Sequence, residues 1–90
     1  MTFDSSKDER NRSKHGISLW QACELDWERM LVWTDSRFDY GEHRLCGLSP
    51  MGARLHFVAF ADRDGEIRII SLRKANFRET KFYAEHYQDP

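Results

Sequence analysis

What this sequence lacks excludes several classes of protein. Its two cysteines, Cys23 and Cys46, are too few for a disulfide scaffold, and neither they nor the four histidines lie at metal-ligand spacings, so we expect no metal and no cofactor. No apolar run approaches the roughly 18 residues that a membrane span needs. The first residues do not form a signal peptide. We therefore expect a reduced, cytoplasmic protein without membrane contact.

The length and the apolar content indicate one folded domain. The chain has 90 residues, of which 40% are hydrophobic and 13% aromatic. This content is sufficient for a core, but a chain of this length buries only about two-thirds of its unfolded surface. We therefore expect one domain that spans residues 1–90.

Neither sign of charge dominates, yet the charges are unevenly placed. The 14 lysines and arginines nearly balance the 15 acidic residues, and the formal net charge is −1. Residues 24–42 sum to −4, whereas residues 7–14 sum to +2 and residues 66–81 to +3. Ten of the 14 cations are arginines, whose planar fork grips phosphate at two points. The neutral total can therefore hide a basic surface.

Two helices are predicted in the N-terminal part. The first covers residues 4–15 and is polar, with a capping box at Ser6 and Gly16 placed to end it. The second begins with a capping box at Ser18 and ends near Trp27. One face of this helix should be buried, because four apolar residues recur at helical spacing: Leu19, Trp20, Cys23 and Trp27.

Four strands and a final helix follow. The strands are predicted at residues 30–34, 42–48, 54–61 and 66–72, with a polar loop at residues 35–41. Pro50 marks a turn after the second strand, and Gly65 marks a hairpin turn after the third. Asn76 opens a capping box and a helix that runs to about Tyr87. This order predicts an α+β fold with an antiparallel sheet covered by helices.

Alternation along the fourth strand assigns its side chains to two faces. Ile67 and Ile69 are expected on one face, and Arg68, Ile70 and Leu72 on the other. Because both faces then carry apolar residues, we expect this strand in the interior of the sheet.

Lys14 and His15 come together where the first helix ends. A neutral histidine can take up a proton near pH 7, and a neighbouring lysine can stabilise an oxyanion. The alternative is structural: the histidine bonds the last carbonyls of its own helix, and the helix dipole favours the lysine. The spacing leaves both interpretations open.

A second group of cations lies around the junction of the last strand and the last helix: Arg68, Arg73, Lys74 and Arg78. These side chains could converge on a phosphate that also meets the amides at the helix N-terminus. The alternative is a solvated rim with ion pairs to Glu66 and Glu79.

Four segments of the sequence resemble motifs of the BrnT toxin family: NRSKHGIS at residues 11–18, RLCGL at 44–48, IRIISLRKAN at 67–76, and Glu79 with Tyr83 four residues later. The first and third are similar to the family patterns N-x-x-KHG-[IV]-[ST] and IRIIS-x-RKA-[TN]. In the second, the glycine falls one residue earlier than in the family's R-x-x-x-G strand. The resemblance covers residues 3–85.

This resemblance implies a RelE-like fold, with two N-terminal helices, a twisted antiparallel sheet of about four strands and a C-terminal helix. It implies the toxin of a type II toxin–antitoxin system, a metal-independent endoribonuclease that inhibits translation. A BrnA-like antitoxin would neutralise it in a heterotetramer built on an antitoxin dimer. Operator DNA would be bound only through the antitoxin.

The resemblance and the chemistry of RNA together suggest site residues. RNA carries its own nucleophile, the 2′-OH, so the protein must move protons and stabilise a phosphorane. The expected catalytic residues are His15 for proton transfer and four cations for phosphate: Lys14, Arg68, Arg73 and Lys74. Arg44, Arg78 and Tyr83 are expected to bind RNA. The alternative is a non-catalytic RelE-fold module that grips an antitoxin or nucleic acid through the basic strand–helix junction.

Overall fold

In the computed structural model, which describes residues 1–37, 39 and 41–88, two α-helices flank a five-stranded sheet. The elements are β1 (Thr2–Phe3), α1 (Ser5–His15), β2 (Leu31–Thr34), β3 (Arg44–Met51), β4 (Arg54–Arg63), β5 (Glu66–Lys74) and α2 (Phe77–His86). The strand order across the sheet is β1-β5-β4-β3-β2. The predicted α+β class is confirmed. The predicted loop at residues 35–41 includes Phe38 and Tyr40, which lie outside the described residues.

An aspartate, rather than the predicted capping box, starts α1. Oδ1 of Asp4 accepts hydrogen bonds from the backbone N–H groups of Ser6 (2.8 Å) and Lys7 (3.2 Å), so it satisfies two of the free amides at the helix start. The prediction that Ser6 caps this helix is therefore wrong. Gly16 ends α1 as predicted, in the left-handed conformation with φ of +71° that glycine adopts without steric cost.

The second predicted helix is not α-helical. This stretch forms two 3₁₀ segments, Leu19–Glu24 and Trp27–Arg29. The buried residues of the stretch lie three positions apart: Leu19, Ala22 and Leu25. That spacing is the period of a 3₁₀ helix. Trp20 and Cys23, which the α-helical pattern placed on the buried face, are both exposed.

A short strand that the sequence did not reveal makes the sheet mixed. In β1, Thr2 pairs with Arg68 and Phe3 pairs with Ile69 in parallel orientation, while all other strand pairs are antiparallel. The predicted four-stranded antiparallel sheet is therefore corrected to a five-stranded mixed sheet. Two residues carry too little periodicity to be recognised as a strand. Because β5 lies between β1 and β4, its predicted place inside the sheet is confirmed.

The turn predicted at Pro50 lies further along the chain. Pro50 is part of β3 and pairs with Leu55, and the turn is formed by Gly52 and Ala53. β2 pairs with β3 only as far as Leu48. The proline therefore lies beyond β2, where its missing N–H removes no hydrogen bond between these two strands.

A β-bulge in β5 changes which side chains face the core. Ile70 is the extra residue, because Ile69 and Ser71 pair with consecutive residues of β4. Beyond the bulge the alternation is shifted by one residue. Leu72 is fully buried in the same hydrophobic cluster as Ile69, with Ile67 packed against it. The prediction that Leu72 faces the other way is wrong for this reason.

The two faces of the sheet are covered by different parts of the chain. The core face packs on residues 17–30 and contains the main hydrophobic cluster: Ile17, Leu19, Ala22, Leu25, Val58, Phe60, Ile69 and Leu72. The side chains of opposite alternation form what we call the second face: Arg44, Cys46, Leu48, Phe57, Ala59, Arg68 and Arg73. α2 approaches the second face through the ring contact of Phe82 with Trp33, and no residue of α2 is buried. Among the described residues, no helix has the length and apolar character to cross a membrane.

Candidate active site

Asn11 holds α1 along the edge of β5, beyond the point where β1 ends. Its Nδ2 donates hydrogen bonds to the carbonyls of Ile17 and Leu72, both at 2.8 Å, and its Oδ1 accepts from the N–H of Leu72 at 3.1 Å. Asn11 is the only buried residue of α1, with 5% of its surface exposed. This buried amide thus anchors α1, a polar helix without an apolar face, to β5.

A cleft of about 310 Å³ lies between α1 and the bulged part of β5. It is lined by Lys7, Arg10, Asn11, Lys14, His15, Ile70 and Ser71. Lys7, Arg10 and Lys14 share one side of α1, because their spacing of three and four residues matches the helical turn. None of the three makes an ion pair with a described residue. The cleft therefore combines positive charge with an absence of carboxylates from its lining.

Asp8 does not neutralise these cations, because its carboxylate is held on another side of α1. Its Oδ1 accepts hydrogen bonds from the N–H of Leu19 (2.6 Å) and from Oγ of Ser18 (2.8 Å), and Oδ2 lies 3.4 Å from Nε of Arg12. The bonds from Leu19 and Ser18 lower the pKa of Asp8. This carboxylate thus fastens α1 to the first 3₁₀ segment.

His15 supplies a proton acceptor to the cleft. The side chain is partly buried, and burial lowers its pKa; the positive charges of Lys14 and Arg73 lower the pKa further. The ring is therefore predominantly neutral at pH 7 and able to accept a proton. It makes no hydrogen bond with a described residue, so the structural alternative, a ring bonded to the carbonyls of its own helix, is not observed.

Arg68 and Arg44 lie near Lys7 but do not line the cleft. They share one position of the sheet ladder on the second face, since both pair with the same residue of β4. Burial is the largest cause that lowers the pKa of Lys7, and the positive charges of Arg44 and then Arg68 lower it further. Arg73, which influences His15, is four ladder positions from Arg68, or about 13 Å at 3.3 Å per residue. Arg68 near Lys7 and Arg73 near His15 therefore add positive charge beside the cleft without lining it.

Arg73 is fixed by a bidentate ion pair with Glu79. Its Nη1 and Nη2 donate to the two carboxylate oxygens of Glu79 at 2.8 and 2.9 Å, and the guanidinium lies 4.2 Å from the ring centre of Phe57. These bonds lower the pKa of Glu79. Glu79 also completes the predicted capping box with Asn76. The ion pair that the sequence offered as an alternative for Arg73 is therefore formed, and it ties β5 to the start of α2.

Arg68 and Arg44 also have carboxylate partners. Nη2 of Arg68 lies 3.6 Å from Oδ2 of Asp4, and both side chains are about one-third exposed. Nε of Arg44 lies 3.2 Å from Oε1 of Glu42. Solvated pairs of this kind contribute about 1 kcal/mol or less. A phosphate could therefore replace the carboxylate of Asp4 at small cost.

Of the residues selected from the sequence, only Lys14 and His15 line the cleft; Lys74, Arg78 and Tyr83 lie outside it, like the three arginines described above. Lys74 follows Arg73, so strand alternation directs it away from the second face. Arg78 lies in the first turn of α2 and lines a separate apolar pocket next to that helix. Oη of Tyr83 donates to the carbonyl of Arg29 at 2.7 Å, a contact that holds α2 to the rest of the chain.

Lys7 and Arg10 are cleft residues that the sequence analysis did not single out. A signal for them existed, because their spacing relative to Lys14 puts all three on one side of a helix. The sequence could not show that β5 lies beside this side of α1. The cleft thus needs both the helix and a strand more than 50 residues away.

The chemistry available in the cleft is anion binding combined with proton transfer. Unpaired ammonium and guanidinium groups can hold a phosphodiester, and a neutral imidazole can take a proton from a hydroxyl beside it. Within the described part of the chain, no three His, Cys, Asp or Glu side chains are grouped so that they could hold a metal ion.

Comparison with known proteins identifies one family. A family model described as "Ribonuclease toxin, BrnT, of type II toxin-antitoxin system" matches residues 3–79, which is most of the chain. Every residue that lines the cleft lies inside the matched region, whereas Tyr83 lies outside it. A search of curated proteins finds no match.

Proposed function

Since this chain belongs to the BrnT family of ribonuclease toxins, we propose that it cleaves RNA in the cleft between α1 and β5, without a metal ion, and so inhibits translation in the cytoplasm. The observation that carries this proposal is the position of His15, which is partly buried and lies beside unpaired cations. A histidine that stays neutral at pH 7 in such a place is suited to act as a general base on a phosphodiester.

The reaction requires only the RNA, water and side chains in and beside this cleft. His15 accepts the proton of the 2′-OH while O2′ forms a bond to phosphorus, and the bond from phosphorus to O5′ then breaks. The products are a 2′,3′-cyclic phosphate and a 5′-OH, whose oxygen takes up a proton from water. Lys14, which lines the cleft beside His15, stabilises the phosphorane, an effect of about 10²–10³-fold for one well-placed donor, while Arg68 and Arg73 bind the RNA beyond the cleft.

The remaining predicted residues contribute to binding of the RNA outside the cleft. Arg44 extends the contact beyond Arg68 on the second face. Arg78 and Tyr83 contact the RNA where it leaves the cleft toward α2, whereas Lys74 contacts RNA only at the end of β5, on the side away from the second face. Their substitution should therefore weaken binding without changing the rate at saturating RNA.

Cleavage of a labelled single-stranded RNA in the presence of EDTA tests the reaction. The wild-type protein should produce 2′,3′-cyclic phosphate and 5′-OH ends. His15→Ala should lower the rate by about 10²–10⁴-fold, because it removes the general base. His43→Ala is the matched control, since His43 is exposed and lies outside the cleft.

Two results would contradict parts of this proposal. If His15→Ala keeps full activity while Arg68→Ala and Arg73→Ala lose it, the site is an electrostatic clamp without acid–base catalysis. If EDTA abolishes cleavage and added Mg²⁺ restores it, metal independence is wrong.

The family is one of type II toxin–antitoxin systems, which implies an antitoxin partner. We propose that this partner is BrnA-like, that two toxins bind an antitoxin dimer as a heterotetramer, and that operator DNA contacts only the antitoxin. Co-expression of the neighbouring gene should reverse growth arrest. Light scattering of the purified complex should give the mass of two copies of each chain, and the mass of one copy of each would contradict this assembly.

A non-catalytic binding module with a RelE-like fold is the second candidate. It is favoured by the ion pairs of Arg44, Arg68 and Arg73, which occupy three of the predicted cations. Growth arrest with an intact mRNA pool would support this candidate and contradict the ribonuclease.

A further inference from the structure

We propose that Lys7, Arg10 and Lys14 form a phosphate-binding track for single-stranded RNA, along which the strand is positioned for cleavage at His15. The inference rests on the proposed ribonuclease function and adds Lys7 and Arg10 to the site. These two residues act as positioning residues, because they bind phosphates next to the one that reacts.

The length of the track suits several phosphates. Lys7 and Lys14 are seven residue steps apart on α1, or about 10 Å at 1.5 Å per residue. A single-stranded RNA carries one negative charge per nucleotide, so a track of this length can contact neighbouring phosphates of one strand.

The three cations are available to an external anion. None of them has an ion-pair partner among the described residues, whereas Asp8 and Arg12 pair with each other on a different side of the same helix. Burial and the nearby charges of Arg44 and Arg68 lower the pKa of Lys7, while the carboxylate of Glu42, already paired with Arg44 and Arg63, raises it. An anion in the cleft would relieve the repulsion between these cations.

The other residues that line the cleft contribute little to ligand recognition, which therefore depends on the cations. The two amide atoms of Asn11 are already bonded to the backbone of Ile17 and Leu72. The bulge in β5 adds Ile70 and Ser71, which form the wall opposite α1. The cleft therefore binds a ligand mainly through its positive charges and offers no free amide of Asn11 for hydrogen bonds to bases. This favours backbone binding that does not depend on RNA sequence.

The neighbouring chemistry favours RNA over an acidic protein segment. His15 follows Lys14 directly and stands at the end of the track with its ring unbonded to described residues. A proton acceptor serves cleavage of a phosphodiester but adds nothing to the binding of carboxylates. An acidic segment of an antitoxin is therefore the competing occupant to be tested.

Salt-dependent binding tests the track independently of cleavage. The probe is a short single-stranded RNA with 2′-O-methyl groups throughout, which cannot be cleaved, and its Kd is measured by fluorescence anisotropy over a range of KCl concentrations. Each of Lys7→Gln, Arg10→Gln and Lys14→Gln should reduce the slope of log K against log salt by about 0.7, and the triple variant by about 2. Arg12→Gln, on the same helix but paired with Asp8, should leave the slope unchanged.

The outcomes separate the track from the ribonuclease. Binding with the expected slopes but no cleavage of unmodified RNA would refute the function and retain the track. Cleavage by wild-type protein with slopes unchanged in Lys7→Gln and Arg10→Gln would refute the track alone. Unchanged RNA binding combined with lost antitoxin binding in these variants would assign the surface to an acidic protein partner and overturn the inference. Circular dichroism of each variant verifies its fold.

Discussion

Substitution of Asn11 by alanine is the sharpest test of how α1 is held in place. α1 has no apolar residue that is buried against the sheet, so its position depends on polar contacts. The amide of Asn11 bonds both the N–H and the carbonyl of Leu72 and also the carbonyl of Ile17. Asn11→Ala removes all three bonds and leaves the three backbone groups in a poorly solvated place.

The expected cost follows from those bonds. A hydrogen bond contributes a net 1 kcal/mol on average, and a buried backbone group left without a partner raises the cost. Three bonds therefore correspond to about 3 kcal/mol, a large part of the 5–15 kcal/mol typical of a small domain. In a domain of this size the melting temperature should fall by roughly 12–24 °C, since each kcal/mol corresponds to about 4–8 °C.

Urea denaturation followed by tryptophan fluorescence measures this loss. Ser13→Ala is the matched control, because Ser13 is exposed on the same helix and should change the free energy of unfolding by less than about 0.5 kcal/mol. Asn11→Asp should also destabilise the fold, since a carboxylate would face the carbonyl oxygens of Ile17 and Leu72. If Asn11→Ala unfolds at the wild-type urea concentration but loses ribonuclease activity, Asn11 acts in the chemistry and our structural explanation is wrong.

Three further predictions concern the sheet and its second face. Gly47→Ala should destabilise the fold by about 1 kcal/mol or less in urea titrations, because an added Cβ would lie 2.5 Å from Sδ of Met30, whose flexible side chain can move; a loss above about 3 kcal/mol would show that Met30 cannot move. Glu79→Gln should lower stability at pH 7 by about 1 kcal/mol. Arg73 lowers the pKa of Glu79 in the folded protein. The stability difference between wild type and variant should therefore be present above the usual pKa of a glutamate and should vanish as the pH falls through the lowered pKa. A stability difference that persists at acid pH would exclude the ion pair as its cause. Cys46 is buried with a raised pKa, so a thiol reagent should label it only after denaturation, and rapid labelling of native protein would refute its burial.

Short-range signals explain the parts of the fold that could be predicted. Gly16 ends α1, and Asn76 begins α2 with a capping box, because each depends on residues within one helical turn. The hairpin turn before Gly65 was predictable for the same reason, since adjacent residues there need positive φ. Such features are encoded locally and need no knowledge of the remaining chain.

The errors arose where distant parts of the chain compete with local preference. Leu72 faces the core only because Ile70 bulges out of the ladder with β4, a shift that alternation in one strand cannot reveal. The segments Leu19–Glu24 and Trp27–Arg29 are 3₁₀ rather than α-helical, and the residues buried in this stretch lie three positions apart, a period that the local pattern did not predict. β1 exists as a strand through its pairing with β5 alone.

The candidate site also combines features that the sequence predicted with features that only the tertiary structure shows. The sequence by itself determined the family, through motifs that contain Lys14, His15 and Arg73, and it determined that basic segments lie near both ends of the chain. Only the tertiary structure decided that α1 lies along β5, that Lys7 and Arg10 therefore line the cleft, and that strand alternation directs Lys74 away from it. The physical reason is that charge and motif belong to the chain, whereas a cleft is formed by side chains that long-range backbone pairing brings together.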